Sequence, residues 1–204
     1  MNYLKNFWNF LKKDSWFSLV VTLIIAFILI KLVLFPTLSL ITGTSLPLVI
    51  VESCSMYHQE YGFEEVLNSS RLYDQNDINL ENTKNWPFQN GLKKGDVIFV
   101  TGAEKIKKGD VIIFFSEGST AKYPIIHRVI STSPIGTKGD NIITNKEQLS
   151  KDDPINKNPN RIDEINISND EIIGKALFII PQIVWIKLIF FEHLRPQEYR
   201  GFCK

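Results

Sequence analysis

Apolar positions gather in three blocks. From Trp16 to Phe35 the sequence WFSLVVTLIIAFILIKLVLF runs for twenty residues with a single charge, Lys31, and as a helix would rise about 30 Å, the thickness of a hydrocarbon core. This predicts a transmembrane helix over 16–35, with Lys31 snorkelling to the far headgroups and Trp8 and Trp16 at the near interface. The run is too long for the apolar core of a cleaved signal peptide, and no small-x-small site follows it. Pro36 to Val51 is apolar as well, but Pro36, Gly43 and Pro47 interrupt it. It reads as a membrane-skimming loop running into a strand rather than a second pass. The third block, Ala176 to Phe191 (ALFIIPQIVWIKLIFF), carries Pro181, Gln182 and Lys187. A strand followed by an interfacial helix fits it, with a marginal second span as the alternative.

Between these blocks the period changes to that of strands. Lys94 to Val100 (KGDVIFV) and Lys108 to Phe115 (KGDVIIFF) each follow a Lys-Gly-Asp turn with a β-branched and aromatic run. Tyr123 to Ile130 (YPIIHRVI) reads as another strand, and Thr137 to Thr144 (TKGDNIIT) as a turn opening a further one. The pattern predicts a mainly β chain: an antiparallel β domain behind an N-terminal transmembrane helix. An acidic insert over 57–93 interrupts the strands, and its Phe63, Val66, Leu67 and Leu72 suit one face of a short helix. Asn145 to Glu171 reads as a long surface excursion.

Charge and composition narrow the function. Lys5, Lys12 and Lys13 precede the span, whereas the first cation after Lys31 is Arg71. The positive-inside rule therefore places 1–15 in the cytoplasm and the chain from Pro36 outside. A net charge of +1, with lysines and acids interspersed, leaves no electrostatic footprint for nucleic acid. Cys54 and Cys203 are too far apart in sequence for a zinc cluster or a disulfide framework, which leaves room for a single bridge. His58, His127 and His193 lack metal-ligand spacing, so no metal or cofactor is expected.

The candidate chemistry lies in IVESCSMYH, Ile50 to His58. In an extended segment Ser53 and Ser55 share a face and Cys54 takes the other. Two hydroxyls on one face suit acyl transfer, one as nucleophile and one as oxyanion donor, although Ser-x-Ser is common in loops. A serine needs a base, and His127, between Ile125 and Val129 on one strand face, suits a semi-buried base as well as a satisfied core histidine. Asp140, in a Gly-Asp-Asn turn, or the pair Asp152 and Asp153 would orient the imidazole, against the plainer role of Asp140 as a turn cap.

Taken in order, the anchor, SCSM (Ser53 to Met56), GDVI at Gly95 and again at Gly109, IIHRV (Ile125 to Val129) and TKGDN (Thr137 to Asn141) resemble signal peptidase I. The closer likeness is to the archaeal and endoplasmic-reticulum type, in which histidine replaces the catalytic lysine. The resemblance extends to about Trp185 and implies Ser55 as nucleophile, His127 as base, and Ser53 and Met56 in oxyanion and substrate binding. It also implies a β-rich serine protease domain over 36–175 lying on the outer membrane surface, followed by the apolar segment 176–204. The implied partners are the lipid bilayer and the signal peptides of exported preproteins, cut after small residues. Further subunits are left open. The chain departs from the family pattern at Cys54, where glycine is usual, at His58, where proline is usual, and at Lys146, where a second acid is expected. The third member of the site therefore stands between Asp140 and Asp153. The alternatives are a non-catalytic membrane-anchored binding or assembly module and, less in keeping with His127, a serine-lysine protease using Lys122.

Overall fold

The computed structural model describes residues 2–181, Gly201 and Cys203, and the chain divides into two compact units, Met1–Gly43 and Thr44–Lys204. The first unit is helical: α1 (Asn2–Leu11), α2 (Trp16–Leu29), a π-helical turn (Ile30–Leu34) and α3 (Phe35–Thr42). The Ser18 hydroxyl joins α1 to α2 by donating to the carbonyls of Phe10 and Leu11. Helical backbone runs unbroken over the 27 residues Trp16–Thr42, long and apolar enough to cross a membrane. Its apolar side chains, among them Phe17, Leu23, Phe27 and Leu32, project outward, as lipid would require.

This helix is longer than the sequence predicts. Proline lacks an N–H and crowds the carbonyl four residues back, so a break at Pro36 is the natural expectation. The preceding turn is instead widened: the N–H of Phe35 bonds the carbonyl of Ile30, five residues back. The helix stops only at Gly43, whose φ of 67° gives the left-handed cap that side chains disfavour. Pro36–Thr42 is therefore helix rather than a membrane-skimming loop.

The second unit is built on one antiparallel sheet of six strands: β1 (Leu48–Ile50), β2 (Val97–Thr101), β3 (Val111–Phe114), β4 (Ile125–Thr132), β5 (Ile135–Lys138) and β6 (Ile172–Ile180). Their spatial order is β1-β2-β6-β3-β4-β5. The two Lys-Gly-Asp turns are the same device used twice. Gly95 and Gly109 take positive φ, and Asp96 and Asp110 each accept from the N–H three residues earlier, at Lys93 and Lys107. Gly109 has a further reason to lack a side chain, since a Cβ there would lie about 2.4 Å from the Trp86 ring. The third turn differs from expectation: β5 precedes Gly139-Asp140 instead of following it. Of the apolar block 176–191, the strand is present as the end of β6, while the interfacial helix and second-span readings fall at 182–200, outside the described residues.

Strand alternation sorts the core. Val49, Met56, Leu92, Ile98, Val100, Val111 and Ile113 form one cluster, and Ile112, Phe114, Val129 and Ile167 another. The insert supplies a third. Its two short helices, α4 (Phe63–Asn68) and α5 (Arg71–Gln75), bury Phe63, Val66, Leu67 and Tyr73 with Ile130 of β4. The insert is thus packed onto the sheet, not a free appendage.

Candidate active site

The serine loop leaves β1 and turns at once. Cys54–Tyr57 is a tight turn closed by the Tyr57 N–H on the Cys54 carbonyl at 3.0 Å. The loop is not a strand, yet Ser53 Oγ and Ser55 Oγ lie 3.1 Å apart, so the two hydroxyls are adjacent as the extended reading required. Cys54 points elsewhere, into a disulfide with Cys203. Met56 is 1% exposed and belongs to the core. Its side chain lies in the core beneath the loop.

Three carbonyls in succession hold the loop in place. Asn141 donates from Nδ2 to Cys54 and from its backbone N–H to Ser55, at 3.0 and 2.9 Å, and Leu92 N–H donates to Met56 at 2.9 Å. Asn141 is itself fixed, because its Oδ1 accepts from the N–H groups of Ile143 and Thr144. The neighbouring Gly139 must be glycine: a Cβ there would lie 2.7 Å from the Ser55 carbonyl and 2.6 Å from the Asn145 side chain. With the carbonyls engaged, the backbone N–H of Ser55 has no hydrogen-bond acceptor among the described residues, which suits a donor reserved for an oxyanion.

His127 reaches the same corner along β4. Its neighbour Arg128 pairs with Lys138, the last residue of β5, and Gly139, pressed against Ser55, follows directly. The imidazole is 5% exposed, and its Nδ1–H donates to Glu164 Oε1. That bond leaves Nε2 as the basic nitrogen. Glu164 is fully buried, its Oε2 accepting from Leu149 N–H at 2.8 Å. Its backbone is held by Leu149 and Thr137, and by Gln148 Nε2, which donates to its carbonyl.

Glu164 is the acid that sequence analysis missed, and the two acids it favoured go elsewhere. Successive residues of β4 face opposite ways, so Arg128 leaves the sheet on the side away from His127, and Asp140 lies with Arg128. Its carboxylate takes Nε and Nη2 of that guanidinium at 2.7 to 3.0 Å. Arg128 also donates to the carbonyls of Pro87, Phe88 and Gly109 and lies over the Phe63 and Trp86 rings, fastening the insert to the sheet. Asp153 caps a surface turn: it accepts from Ser150 N–H and bonds Lys157 Nζ, and those two contacts, the backbone one foremost, hold its carboxyl below the usual aspartate range. The stretch 145–171, read as a surface excursion, in fact brings Glu164 and Asn158 into the interior.

The other titratable candidates have structural places. His58 is buried, with Nε2 on the Gln89 carbonyl at 2.7 Å and Nδ1 3.8 Å from Asp140. Lys122 is exposed and stands over the Tyr123 ring. No group of three or more His, Cys, Asp or Glu among the described residues could hold a metal ion. No protein-family model matches the chain, and no curated protein matches it.

Proposed function

We propose that the chain is a membrane-anchored serine endopeptidase of the signal peptidase I type, the archaeal and endoplasmic-reticulum form. It would remove signal peptides from exported preproteins at the outer membrane surface. The observation that carries this reading is the buried His127–Glu164 couple on β4, together with the paired hydroxyls of Ser53 and Ser55 on a loop held against the turn that follows β5. His127 Nε2 takes the Ser55 proton, and the alkoxide attacks the scissile carbonyl. The Ser55 N–H and Ser53 hydroxyl receive the oxyanion, while Glu164 steadies the imidazolium. His127 then protonates the leaving amine, and water, activated by the same nitrogen, releases the acyl group.

The anchor supports a substrate that is itself held in the membrane, since a nucleophile on the loop after the first strand meets a bond emerging at the bilayer surface. The bond between Cys54 and Cys203 supports an extracytoplasmic domain, because disulfides persist in oxidising compartments. It also requires both cysteines on one side of the bilayer, in keeping with a cytoplasmic N-terminus and a single pass. The test uses the full chain in detergent with a precursor bearing an Ala-x-Ala site. Cleavage by wild type and none by Ser55→Ala or His127→Ala is expected. Equal cleavage by all three would reject the serine-histidine assignment, and no cleavage by folded wild type would favour the binding module.

A further inference from the structure

Two asparagines of the second unit stand two residues before a serine, in the triplet Asn-x-Ser that marks an acceptor of N-linked sugar: Asn68-Ser69-Ser70 and Asn166-Ile167-Ser168. The triplet alone is a common accident in a chain as rich in asparagine as this one, so the side chains decide. Both asparagines are exposed, and neither amide side chain makes a hydrogen bond among the described residues. Asn76, Asn79, Asn82, Asn141 and Asn158, by contrast, each engage theirs with backbone groups. Asn68 ends α4, whose Val66 and Leu67 are buried. Asn166 stands beside Ile167, which enters the core with Phe114 and Val129 and bridges to Ile135.

The two triplets also share a face. Ser69 and Ser70 line an open groove of about 540 Å³, and so does Ile165, the residue before Asn166. Arg71 and Gln75 add hydrogen-bond donors to its wall. Sugars leaving the two asparagines therefore start at the rim of one polar groove. The timing of attachment follows from the serines. Ser168 Oγ donates to Glu171 Oε2 at 2.8 Å, and Ser70 Oγ accepts from the Leu72 N–H. The hydroxyl that marks each triplet is engaged once the domain has folded, so the transfer belongs to the chain as it emerges from the membrane.

We propose that Asn68 and Asn166 are N-glycosylation sites, modified by a membrane transferase that uses a lipid-phosphate-linked oligosaccharide. Nδ2 of the asparagine attacks the anomeric carbon of the first sugar. The Nδ2–C1 bond forms as the C1–O bond to phosphate breaks, and the lipid phosphate leaves with the bonding pair and takes up the proton that Nδ2 gives up. The inference rests on the extracytoplasmic placement of the domain.

The experiment is intact-protein and peptide mass spectrometry of the full chain, purified in detergent from the membranes of the cells that make it. Wild type is compared with Asn68→Gln, Asn166→Gln, the double variant and Ser168→Thr. Wild type should exceed the mass of the bare chain by two sugar increments, one on each asparagine. Each single variant should lose its own increment, the double variant should lose both, and Ser168→Thr, which keeps the triplet, should lose none. Sugar that survives in the double variant overturns the assignment, and sugar at one asparagine only overturns it for the other. The same chains in sealed inverted vesicles are treated with protease, which reaches cytoplasmic segments alone. A protected domain with the mass of the bare chain overturns this inference and leaves the placement of the domain intact. A digested domain shows that the extracytoplasmic reading has failed, and this inference with it.

Discussion

His127 and Glu164, separated by 37 residues, form a buried donor-acceptor pair in which the histidine gives its Nδ1 proton to the carboxylate. Changing Glu164→Gln keeps the volume but removes the charge that selects the tautomer and stabilises imidazolium. A fall in kcat of about 10⁴ is expected, the order seen when a triad carboxylate becomes an amide. Circular dichroism should show the fold retained. Asp153→Asn is the matching control: its carboxylate serves Ser150 and Lys157 at the surface, so precursor cleavage should stay within about twofold of wild type.

Asp140 should matter for a different reason. It is the sole carboxylate bound to the buried Arg128 guanidinium among the described residues. Asp140→Ala strands that charge, and breaking a buried pair from one side costs about 3–5 kcal/mol. Thermal unfolding should show a large drop in Tm. Whatever protein remains folded at low temperature should keep most of its cleavage activity, because the His127–Glu164 bond is untouched.

The strands were legible because two Lys-Gly-Asp turns sit immediately before β-branched runs, and a strand read by alternation puts His127 on the face of Ile125 and Val129, where it lies. Helix continuity past Pro36 was not legible, since it depends on one widened turn that no residue type announces. Glu164 was hidden by its surroundings: Asn, Asp and Lys around it are the composition of a solvated loop, and only the closing of that loop against Leu149 and Thr137 buries it. The weak signal available was Ile162 and Ile165 flanking an Asp-Glu pair, apolar neighbours that suggest a segment returning to the core. Asp140 misled for the opposite reason. Its motif was plain, but its direction was set by Arg128, a charged residue in a strand that sequence alone would send to solvent.

Tyr73 offers a test of the interior beneath the site. Its hydroxyl is buried and meets no hydrogen-bond partner among the described residues, while its ring packs with Val66, Leu67 and Ile130 and carries Lys138 on its face. Tyr73→Phe keeps the packing and removes the unsatisfied group, so a gain of about 1 kcal/mol is expected at neutral pH. Burial, with Asp140 adding to it, pushes the Tyr73 pKa well above the ordinary value. The unfolded chain therefore releases this proton near pH 10 while the folded chain holds it, and wild-type stability falls as pH rises beyond that point. The Tm advantage of the phenylalanine variant should widen above about pH 10, and a constant difference would contradict the assignment.

The disulfide ties the loop of the two serines to a residue 149 positions away. Closing a loop of that size restricts the unfolded chain by about 5 kcal/mol in the entropic account, with measured effects commonly smaller. Reduction, or Cys203→Ser, should therefore lower Tm substantially. The site should be less affected than the fold. Asn141 and Leu92 grip the carbonyls of Cys54, Ser55 and Met56 independently of sulfur, and the Met56 side chain remains in the core. Below its lowered Tm, Cys203→Ser should thus keep the Ser53–Ser55 contact and most of its kcat. A serine loop that relied on the disulfide for its shape would instead lose kcat in proportion to the fraction of chains reduced, at temperatures where circular dichroism still reports folded protein. Titrating wild type with a dithiol and following both signals on one sample separates the two. The hydrogen bonds from Asn141 and Leu92 predict that unfolding temperature drops while activity per folded molecule stays level.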